Sequence, residues 1–230
     1  MKLFQYVYEF IDRVKARFVN KYQFKKGYIT KIEYELRKEF LKSAEQFGAN
    51  NFYQNYPPLR ISGGRSSLCR FKVYEMEKWL NKDVEILDVG GNIGFFSLYL
   101  SRFVKSITIV EQNHRLLNVG RKLADYEKIG NVKFIEKDFK KFTTDKKFDV
   151  VMSLAIHKWV GMEFEDYLKK IHGLLKKGGL VLMESHLIYG KTGDLIKDKL
   201  SKSKLFEIVE KGAIDDHEGN YREFYWIRVR

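Results

Sequence analysis

Cysteine, proline and long apolar runs are scarce in this 230-residue sequence. Its one cysteine, Cys69, excludes an internal disulfide and a zinc site built from several cysteines. Charged residues interrupt every apolar stretch before it reaches the roughly 20 residues that a membrane-spanning helix needs. The first twenty residues carry several acidic and basic side chains, which is not typical of a signal peptide. Together these absences predict a cytoplasmic protein without a membrane span.

Apolar, aromatic and basic residues are abundant. Hydrophobic residues make up 44% and aromatic residues 15% of the chain, so the sequence can bury a real core and is not typical of a disordered chain. The formal net charge of +13 is compatible with a nucleic-acid or anionic-membrane partner. However, lysines outnumber arginines and are scattered, a pattern that a lysine-biased genome also produces. Charge alone therefore leaves RNA binding open, and nothing in the sequence indicates the oligomeric state.

Two amphipathic helices are predicted before residue 50. Apolar residues recur at three- and four-residue spacing over residues 1–21 and again over 31–47. These helices either only cover a sheet or form part of a lid over the substrate, and we favour the lid. Residues 1–69 are therefore predicted to be an N-terminal helical extension with a substrate loop, and residues 70–230 the main domain.

Three arginines lie close together in the segment from residue 50 to residue 70. Arg60, Arg65 and Arg70 fall within eleven positions, beside paired glycines and serines and without sustained periodicity. A guanidinium group binds phosphate or carboxylate in fork geometry, so these three residues are candidate contacts to an anionic substrate. The alternative is a solvated loop with incidental arginines.

Strands and helices alternate from residue 84 onwards, after a short helix predicted over 71–80. This alternation predicts a mostly parallel sheet with helices on both faces. The two closing strands have no helix between them and should pair antiparallel. Strands are predicted over 84–89, 106–110, 132–135, 148–154, 180–183, 205–210 and 223–229, and helices over 95–100, 114–128, 163–175 and 192–203.

A glycine turn follows the first of these strands. Gly90, Gly91 and Gly94 stand between an apolar strand and a helix, where the backbone can approach a ligand that faces the helix N-terminus. A dinucleotide-binding loop would need glycine at its first, third and sixth positions. Asn92 and Phe95 occupy the third and sixth positions, so the dehydrogenase interpretation is poor.

The same turn resembles the first motif of the class I S-adenosylmethionine-dependent methyltransferases. In that family an acidic residue, here Asp88, precedes glycines at alternate positions, and asparagine is a familiar replacement for the middle one. Glu111, seventeen residues past Gly94, is similar to the acidic residue that accepts both ribose hydroxyls in the family. Asp138 resembles the family's contact to the adenine amino group, and Phe139 the side chain that packs on the ring.

Further segments extend the resemblance over about residues 70–230. Residues 148–155 resemble the fourth motif of the family, and residues 174–179 its leucine-leucine-lysine-proline-glycine-glycine turn, with Lys177 in place of proline. The resemblance implies an α/β, seven-stranded Rossmann-like sheet of order 3-2-1-4-5-7-6 with the last strand antiparallel, and S-adenosyl-L-methionine as cofactor. Methyl transfer requires no metal. The implied cofactor-binding residues are Asp88, Gly90, Gly91, Asn92, Gly94, Phe95, Glu111, Asp138, Phe139 and Ser153.

Two segments should bring reactive side chains to the same edge of the sheet. The stretch at 154–159 resembles a subgroup that includes tRNA-wobble and RNA 5′-phosphate modifying enzymes. His157 is a candidate general base, since an unperturbed histidine has a pKa of about 6.5, and Trp159 is a candidate wall of the acceptor pocket. Alternatively, His157 only shapes the site. Glu184 and His186 are weaker candidates for catalysis or for binding acceptor hydroxyls.

Three functions follow from this interpretation. The leading one is methyl transfer to an oxygen of an anionic or phosphorylated small molecule or sugar, because three arginines lie near the motif and no separate RNA-binding module is visible. The second is an RNA methyltransferase that acts on tRNA or on an RNA 5′-end, suggested by the positive charge and by the subgroup likeness. The third is a protein that binds S-adenosylmethionine without transferring the methyl group. The sequence does not identify the acceptor.

Overall fold

The computed structural model describes residues 2–42, 52–185, 196–215 and 221–230, with the backbone alone for 2–10. No helix in these ranges is long and apolar enough to cross a membrane. The helices are α1 (Lys2–Lys25), α2 (Lys31–Phe40), α3 (Ser67–Val73), α4 (Met76–Trp79), α5 (Phe95–Leu100), α6 (His114–Glu127), α7 (Phe164–Leu174) and α8 (Ile196–Lys202). The strands are β1 (Phe52–Gln54), β2 (Gly63–Arg65), β3 (Glu85–Val89), β4 (Ser106–Glu111), β5 (Val132–Glu136), β6 (Phe148–Leu154), β7 (Leu175–Glu184), β8 (Phe206–Asp215) and β9 (Tyr221–Val229).

Seven strands form the main sheet in the order β5-β4-β3-β6-β7-β9-β8. Neighbouring strands from β5 to β7 are parallel, whereas β9 runs antiparallel to both β7 and β8. The order 3-2-1-4-5-7-6, counted from β3, and the antiparallel last strand are therefore confirmed. In a parallel sheet all carboxyl ends meet at one edge, and ligands bind outside that edge where the strand order reverses. Here that place lies between β3 and β6.

Alternating side chains of the central strands supply two hydrophobic cores, one on each face of the sheet. On β3, Leu87 and Val89 pack with Val151 of β6 on one face, and Ile86 packs with Val150 on the other. A strand buried on both faces needs such a continuous apolar run. The apolar run that the sequence predicts to be a strand is thus β3, which is buried on both faces of the sheet.

The arginine-bearing segment is more ordered than a loop. The expectation of a loop over 50–70 is wrong for the described residues, because β1 and β2 pair in parallel and a 3-10 turn at Pro57–Leu59 lies between them. We call β1 and β2 the ribbon. Phe52 and Tyr56 are buried, and the Phe52 ring meets Phe95 of α5 edge-on with ring centroids 5.1 Å apart. This packing fixes the ribbon against α5.

Several element boundaries differ from the sequence prediction. The predicted helix over 71–80 is two short helices, α3 and α4, because Glu75 between them has a φ of 50°. Strand β7 begins at residue 175 rather than 180, and its pairing with β6 is irregular there. The predicted helices over 31–47 and 192–203 include residues outside the described ranges.

Candidate active site

The turn after β3 has a backbone conformation that few residues tolerate. Gly90, Asn92 and Gly94 have φ angles of 66°, 57° and 84°. Asparagine is among the few non-glycine residues that visit this left-handed region at low cost, which explains Asn92 in place of the middle glycine. A Cβ atom at Gly90 would lie 2.4 Å from the Ile156 side chain. The turn therefore needs glycine here for both φ and space.

Glu111 ends β4 beside this turn. One carboxylate oxygen accepts a hydrogen bond from the Asn92 amide at 3.1 Å, and the other accepts from the Asn113 amide at 3.0 Å. These two bonds fix the carboxylate in one orientation. Since each oxygen has a further lone pair, Glu111 can still accept bonds from two neighbouring hydroxyls.

Asp88 lies beneath the turn. It is buried and accepts a hydrogen bond from the Ser97 hydroxyl of α5 at 2.6 Å. Burial, with a smaller contribution from the negative charge of Glu111, raises the pKa of Asp88 to about 6, although the Ser97 hydroxyl and Arg70 oppose the rise. Asp88 thus joins the strand to the helix that follows the turn.

A narrow slot opens at the carboxyl ends of β3, β4 and β6. Its volume is about 50 Å³, and its lining includes Gly90, Glu111, Asp138, Phe139, Ile156 and Trp159. Four residues predicted to bind the cofactor and the predicted acceptor wall therefore converge. Asp138 also accepts a bond from the Lys140 amide at 2.8 Å, which starts a 3-10 turn.

The lining suits an adenosyl group chemically. It offers one fixed carboxylate for vicinal hydroxyls, a second carboxylate at the end of the next strand, an aromatic side chain and a glycine turn. The slot is nevertheless far smaller than the roughly 300 Å³ of a small ligand pocket. Ile156 lies against Gly90, and the preceding Ala155 has a strained φ of 53°. The turn that carries Ile156 therefore narrows the slot on the side of Gly90.

Glu184, at the end of β7, is the centre of a buried ionic cluster. It is fully buried and accepts bonds from Arg222 of β9 at 2.9 Å, from the Tyr74 hydroxyl at 3.1 Å and from Arg70 of α3 at 3.4 Å. Glu184 and Arg70, which the sequence offers as candidates for catalysis and for an anion contact, thus bind each other, and Arg70 is only 1% exposed. We call these four residues the Glu184 cluster.

Other predicted site residues take varied positions. His157 begins a 3-10 turn after β6, is buried and meets the Phe164 ring edge-on at 5.4 Å. Ser153 is fully buried, and its hydroxyl is 2.8 Å from the Tyr167 hydroxyl. Neither residue is part of the slot lining. His186 lies outside the described residues.

The ribbon connects the turn to the Glu184 cluster, a role that the sequence did not reveal. Gln54 accepts a bond from the Phe96 amide in the first turn of α5 at 3.1 Å, which supplies the side-chain cap that Gly94 cannot. Tyr53 accepts a bond from Arg222 at 3.4 Å, and the Arg65 guanidinium lies 5.3 Å from the centre of the Tyr53 ring. Arg60, by contrast, is exposed. No spacing in the sequence signals Gln54, Tyr53 or Arg222.

No cluster of three or more potential metal ligands occurs among the residues that the structure describes. The polar side chains that line the slot include two carboxylates, Glu111 and Asp138, together with Gln112 and Lys137. Carboxylates of this kind can accept hydrogen bonds from hydroxyl and amino groups.

Comparison with known proteins agrees with this geometry. Residues 86–179 match the family model described as a methyltransferase domain. The ubiquinone/menaquinone biosynthesis C-methyltransferase UbiE of Azotobacter vinelandii is 30% identical over 144 residues, which is 58% of this chain and 56% of that protein. The chain thus spans little more than half the length of this curated relative.

Solved structures show the same fold. N-methyltransferase NodS from Bradyrhizobium japonicum in complex with S-adenosyl-L-homocysteine has a TM-score of 0.57 at 13% identity, covering 70% of this chain and 86% of that one. aTrm5, solved in complex with tRNALeu, has a TM-score of 0.57 at 17% identity, covering 71% of this chain and 46% of that one. Residues 86–179 therefore match a methyltransferase domain, and the fold of the chain is that of solved methyltransferases.

Proposed function

We propose that the protein transfers a methyl group from S-adenosylmethionine to an oxygen of an anionic small molecule. The observation that carries the proposal is the convergence of Glu111, Asp138 and Gly90 on one slot, together with Arg65 on the ribbon that caps the helix after the glycine turn. The bound sulfonium supplies an electrophilic methyl group. What remains for the protein is to hold donor and acceptor in line and to exclude water.

In this proposal different residues bind the methyl donor and the methyl acceptor. The Glu111 carboxylate binds the ribose hydroxyls and Asp138 the adenine amino group, while the turn from Gly90 to Gly94 leaves room for the backbone to approach the ligand. Trp159, whose side chain is 69% exposed at the mouth of the slot, forms a wall for the acceptor. Because Trp159 is exposed, its aromatic ring does not pack in the core and is available to contact an acceptor.

Arg60 and Arg65 are the proposed contacts to the anionic acceptor. Arg65 belongs to the ribbon, which contacts the first turn of α5 through Gln54 and Arg222 of β9 through Tyr53, and its guanidinium stacks on the Tyr53 ring. A guanidinium fixed in this way can bind carboxylate or phosphate in fork geometry. The proposal assigns Arg70 no such contact, because Glu184 neutralises it.

Replacing Arg65 tests the acceptor side. Arg65→Ala should raise the KM for the acceptor about tenfold or more, the worth of one charged hydrogen bond, and leave the affinity for S-adenosylhomocysteine unchanged. Arg228→Ala, which removes a half-exposed arginine from β9, is the control and should change neither quantity. An unchanged KM in the Arg65 variant would count against the acceptor assignment.

His157 is the remaining candidate for the proton acceptor, because Glu184 is occupied and His186 lies outside the described residues. A base role predicts that His157→Asn lowers turnover and removes an ionisation from the pH profile of kcat, while S-adenosylhomocysteine binding persists. A uniform loss of both binding and turnover would instead indicate that His157 only shapes the site.

The function itself is tested with labelled donor. The protein is incubated with methyl-labelled S-adenosylmethionine and a cell extract, before and after ribonuclease treatment. The proposal predicts label in the small-molecule fraction in both samples. Label that depends on intact RNA would overturn the acceptor class but not methyl transfer, and label in no fraction would overturn the activity.

An RNA methyltransferase is the second candidate, favoured by the net charge of +13. It predicts RNA binding that weakens steeply with salt, because the protein displaces counterions from phosphates. Flat salt dependence would exclude it. The third candidate, a non-catalytic protein, predicts tight S-adenosylhomocysteine binding without any methylated product.

A further inference from the structure

An apolar groove with a basic rim lies between α1 and α2, outside the slot. Its volume is about 470 Å³. We call residues 11–42 the hairpin and this space the hairpin groove. Apolar side chains from both helices line it together with basic ones. The apolar residues are Val14, Phe18, Tyr34 and Leu41, and the basic ones are Arg17, Lys21, Lys38 and Lys42.

The hairpin also exposes apolar side chains outward. Of ten large apolar residues that are exposed in the described part of the chain, six lie within residues 11–28. Ile11, Phe18 and Tyr22 are 43%, 71% and 55% exposed, and their seven- and four-residue spacing places them on one stripe of α1. A concentrated apolar surface of this kind marks an interaction site, whereas scattered exposed residues do not.

Positive charge surrounds this apolar surface. Residues 11–42 contain ten lysines and arginines against four acidic residues. Arg17 and Lys21 have no acidic partner among the described residues. Lys38 and Lys42 pair with Glu35 and Glu39, but both lysines are more than half exposed, and such pairs contribute little. The hairpin groove therefore presents cations to an incoming ligand.

The exposed apolar side chains and the positive charge of the hairpin together discriminate between three kinds of partner. A second copy would place the same positive surface opposite itself, so charge opposes a symmetric contact. RNA would satisfy the charges, and its bases can stack on Phe18 or Tyr22, but it would leave the exposed aliphatic side chains of Ile11 and Val19 without an apolar partner. An anionic membrane satisfies both features, because acyl chains accept the apolar side chains and headgroup phosphates accept the cations.

We propose that the hairpin binds the surface of an anionic lipid membrane, with Phe18 and its apolar neighbours at the acyl boundary and Arg17 and Lys21 at the headgroups. This contact is peripheral and separate from the slot. Arg115, at the start of α6, donates a hydrogen bond to the Lys42 carbonyl, so the hairpin is tied to the helix that follows Glu111. Membrane binding would thus hold the domain at a surface without using the methyl-donor site.

Vesicle sedimentation of the whole chain tests this proposal. Vesicles of phosphatidylglycerol and phosphatidylcholine in equal parts should bind the protein, and pure phosphatidylcholine vesicles should bind it at least about tenfold more weakly, since basic residues are attracted to an anionic surface. The double variant Arg17→Glu with Lys21→Glu, and separately Phe18→Ser, should each lose most of the binding. Equal binding of these variants and the wild type would overturn the proposal.

Matched changes elsewhere on the surface provide the controls. Tyr126→Ser removes an aromatic residue that is 56% exposed on α6, and Lys197→Glu reverses an exposed charge on α8; both should bind vesicles as the wild type does. Sedimentation velocity and binding of single-stranded RNA are measured on the same proteins. A dimer that Phe18→Ser dissociates, or RNA binding through Arg17 and Lys21 without vesicle binding, would also overturn the membrane proposal. S-adenosylhomocysteine affinity should be the same in all variants, which separates this test from that of the proposed function.

Discussion

The orientation of the Glu111 carboxylate is set by backbone amides of two different segments. Asn92 belongs to the turn after β3 and Asn113 to the start of α6, so one side chain joins the ends of two neighbouring strands. A ligand that bonds to this carboxylate meets a group already held in place, which reduces the entropy lost on binding.

Changing Glu111 should therefore weaken donor binding. Glu111→Gln removes the charge and one acceptor, and we expect the affinity for S-adenosylhomocysteine to fall about tenfold or more, the value of one charged hydrogen bond. Titration calorimetry measures the change. The control is Glu136→Gln, because Glu136 is exposed and is the register partner of Glu111 on β5. Equal losses in both variants would contradict the specific role of Glu111.

Asp88 makes the stability of the domain depend on pH. Its ordinary pKa of 3.8 is raised to about 6 in the folded chain, chiefly by burial. The folded state therefore holds this proton more tightly than the unfolded state. The stabilisation that results is complete below the unfolded pKa and is lost as the pH rises through 6.

Asp88→Asn should remove this dependence. We expect the free energy of unfolding of the variant, relative to wild type, to rise between pH 4 and pH 7 by up to about 3 kcal/mol, since each pKa unit corresponds to about 1.36 kcal/mol. Urea unfolding at the two pH values measures it. Ser97→Ala is informative beside it, because losing the hydroxyl donor should move the titration of Asp88 to higher pH. A difference between variant and wild type that does not change with pH would refute the assignment.

At the scale of elements, the ribbon depends on a close approach that only glycine allows. A Cβ atom at Gly63 would lie 2.1 Å from the carbonyl oxygen of Gln54, whereas the nearest atom to a Cβ at Gly64 would be 3.6 Å away. Position 63 therefore requires glycine, whereas position 64 has room for a Cβ atom. Because Gln54 also caps α5, separation of β1 from β2 would disturb the glycine turn that precedes this helix.

Gly63→Ala and Gly64→Ala form a matched pair. Gly63→Ala should lower the stability by about 2 kcal/mol, as expected for strain and overpacking in a close-packed region, and should weaken S-adenosylhomocysteine binding. Gly64→Ala should change neither by a measurable amount. Thermal unfolding and calorimetry check both, and similar behaviour of the two variants would show that the close approach is unimportant.

Element prediction succeeded where periodicity is strong and failed where it is absent. The apolar run over 84–89 predicted β3 within one residue, and the helix predicted over 114–128 is α6, which ends at Glu127. The sequence predicts a loop where the structure has the ribbon, because strands of three residues are too short to show an alternation of apolar and polar side chains. Its parallel pairing depends on Phe52 and Tyr56 packing on α5, which the local sequence does not encode.

At the scale of the whole molecule, the Glu184 cluster joins three parts of the chain. Arg70 comes from α3, Glu184 from β7 and Arg222 from β9, and all three are buried. A buried carboxylate between two guanidinium groups is stable only while all partners are present. The cluster therefore couples the start of the main domain to the last strand of the sheet.

Removing the central charge should destabilise the fold. Glu184→Gln leaves two buried cations with a neutral partner, and we expect a loss of about 3 kcal/mol, at the lower end for broken buried ion pairs. Chemical unfolding measures the loss. Glu207→Gln breaks the exposed pair with Arg228 and should cost less than about 1 kcal/mol. If Glu184→Gln were as stable as this control, the Glu184 cluster would not contribute to joining α3, β7 and β9.

The sequence by itself determined the mostly parallel sheet, and the family resemblance of its motifs implied the strand order and the residues proposed for the donor side of the site. Those features depend on contiguous patterns: an apolar strand, a glycine turn and an acidic residue at the end of the next strand. Only the tertiary structure decided that Glu184 and Arg70 neutralise each other, and that Gln54 caps α5. These contacts join residues from 42 to 114 positions apart. The physical reason is that burial and pairing of a charge are set by whichever segment the fold places opposite it, and no local spacing records that neighbour.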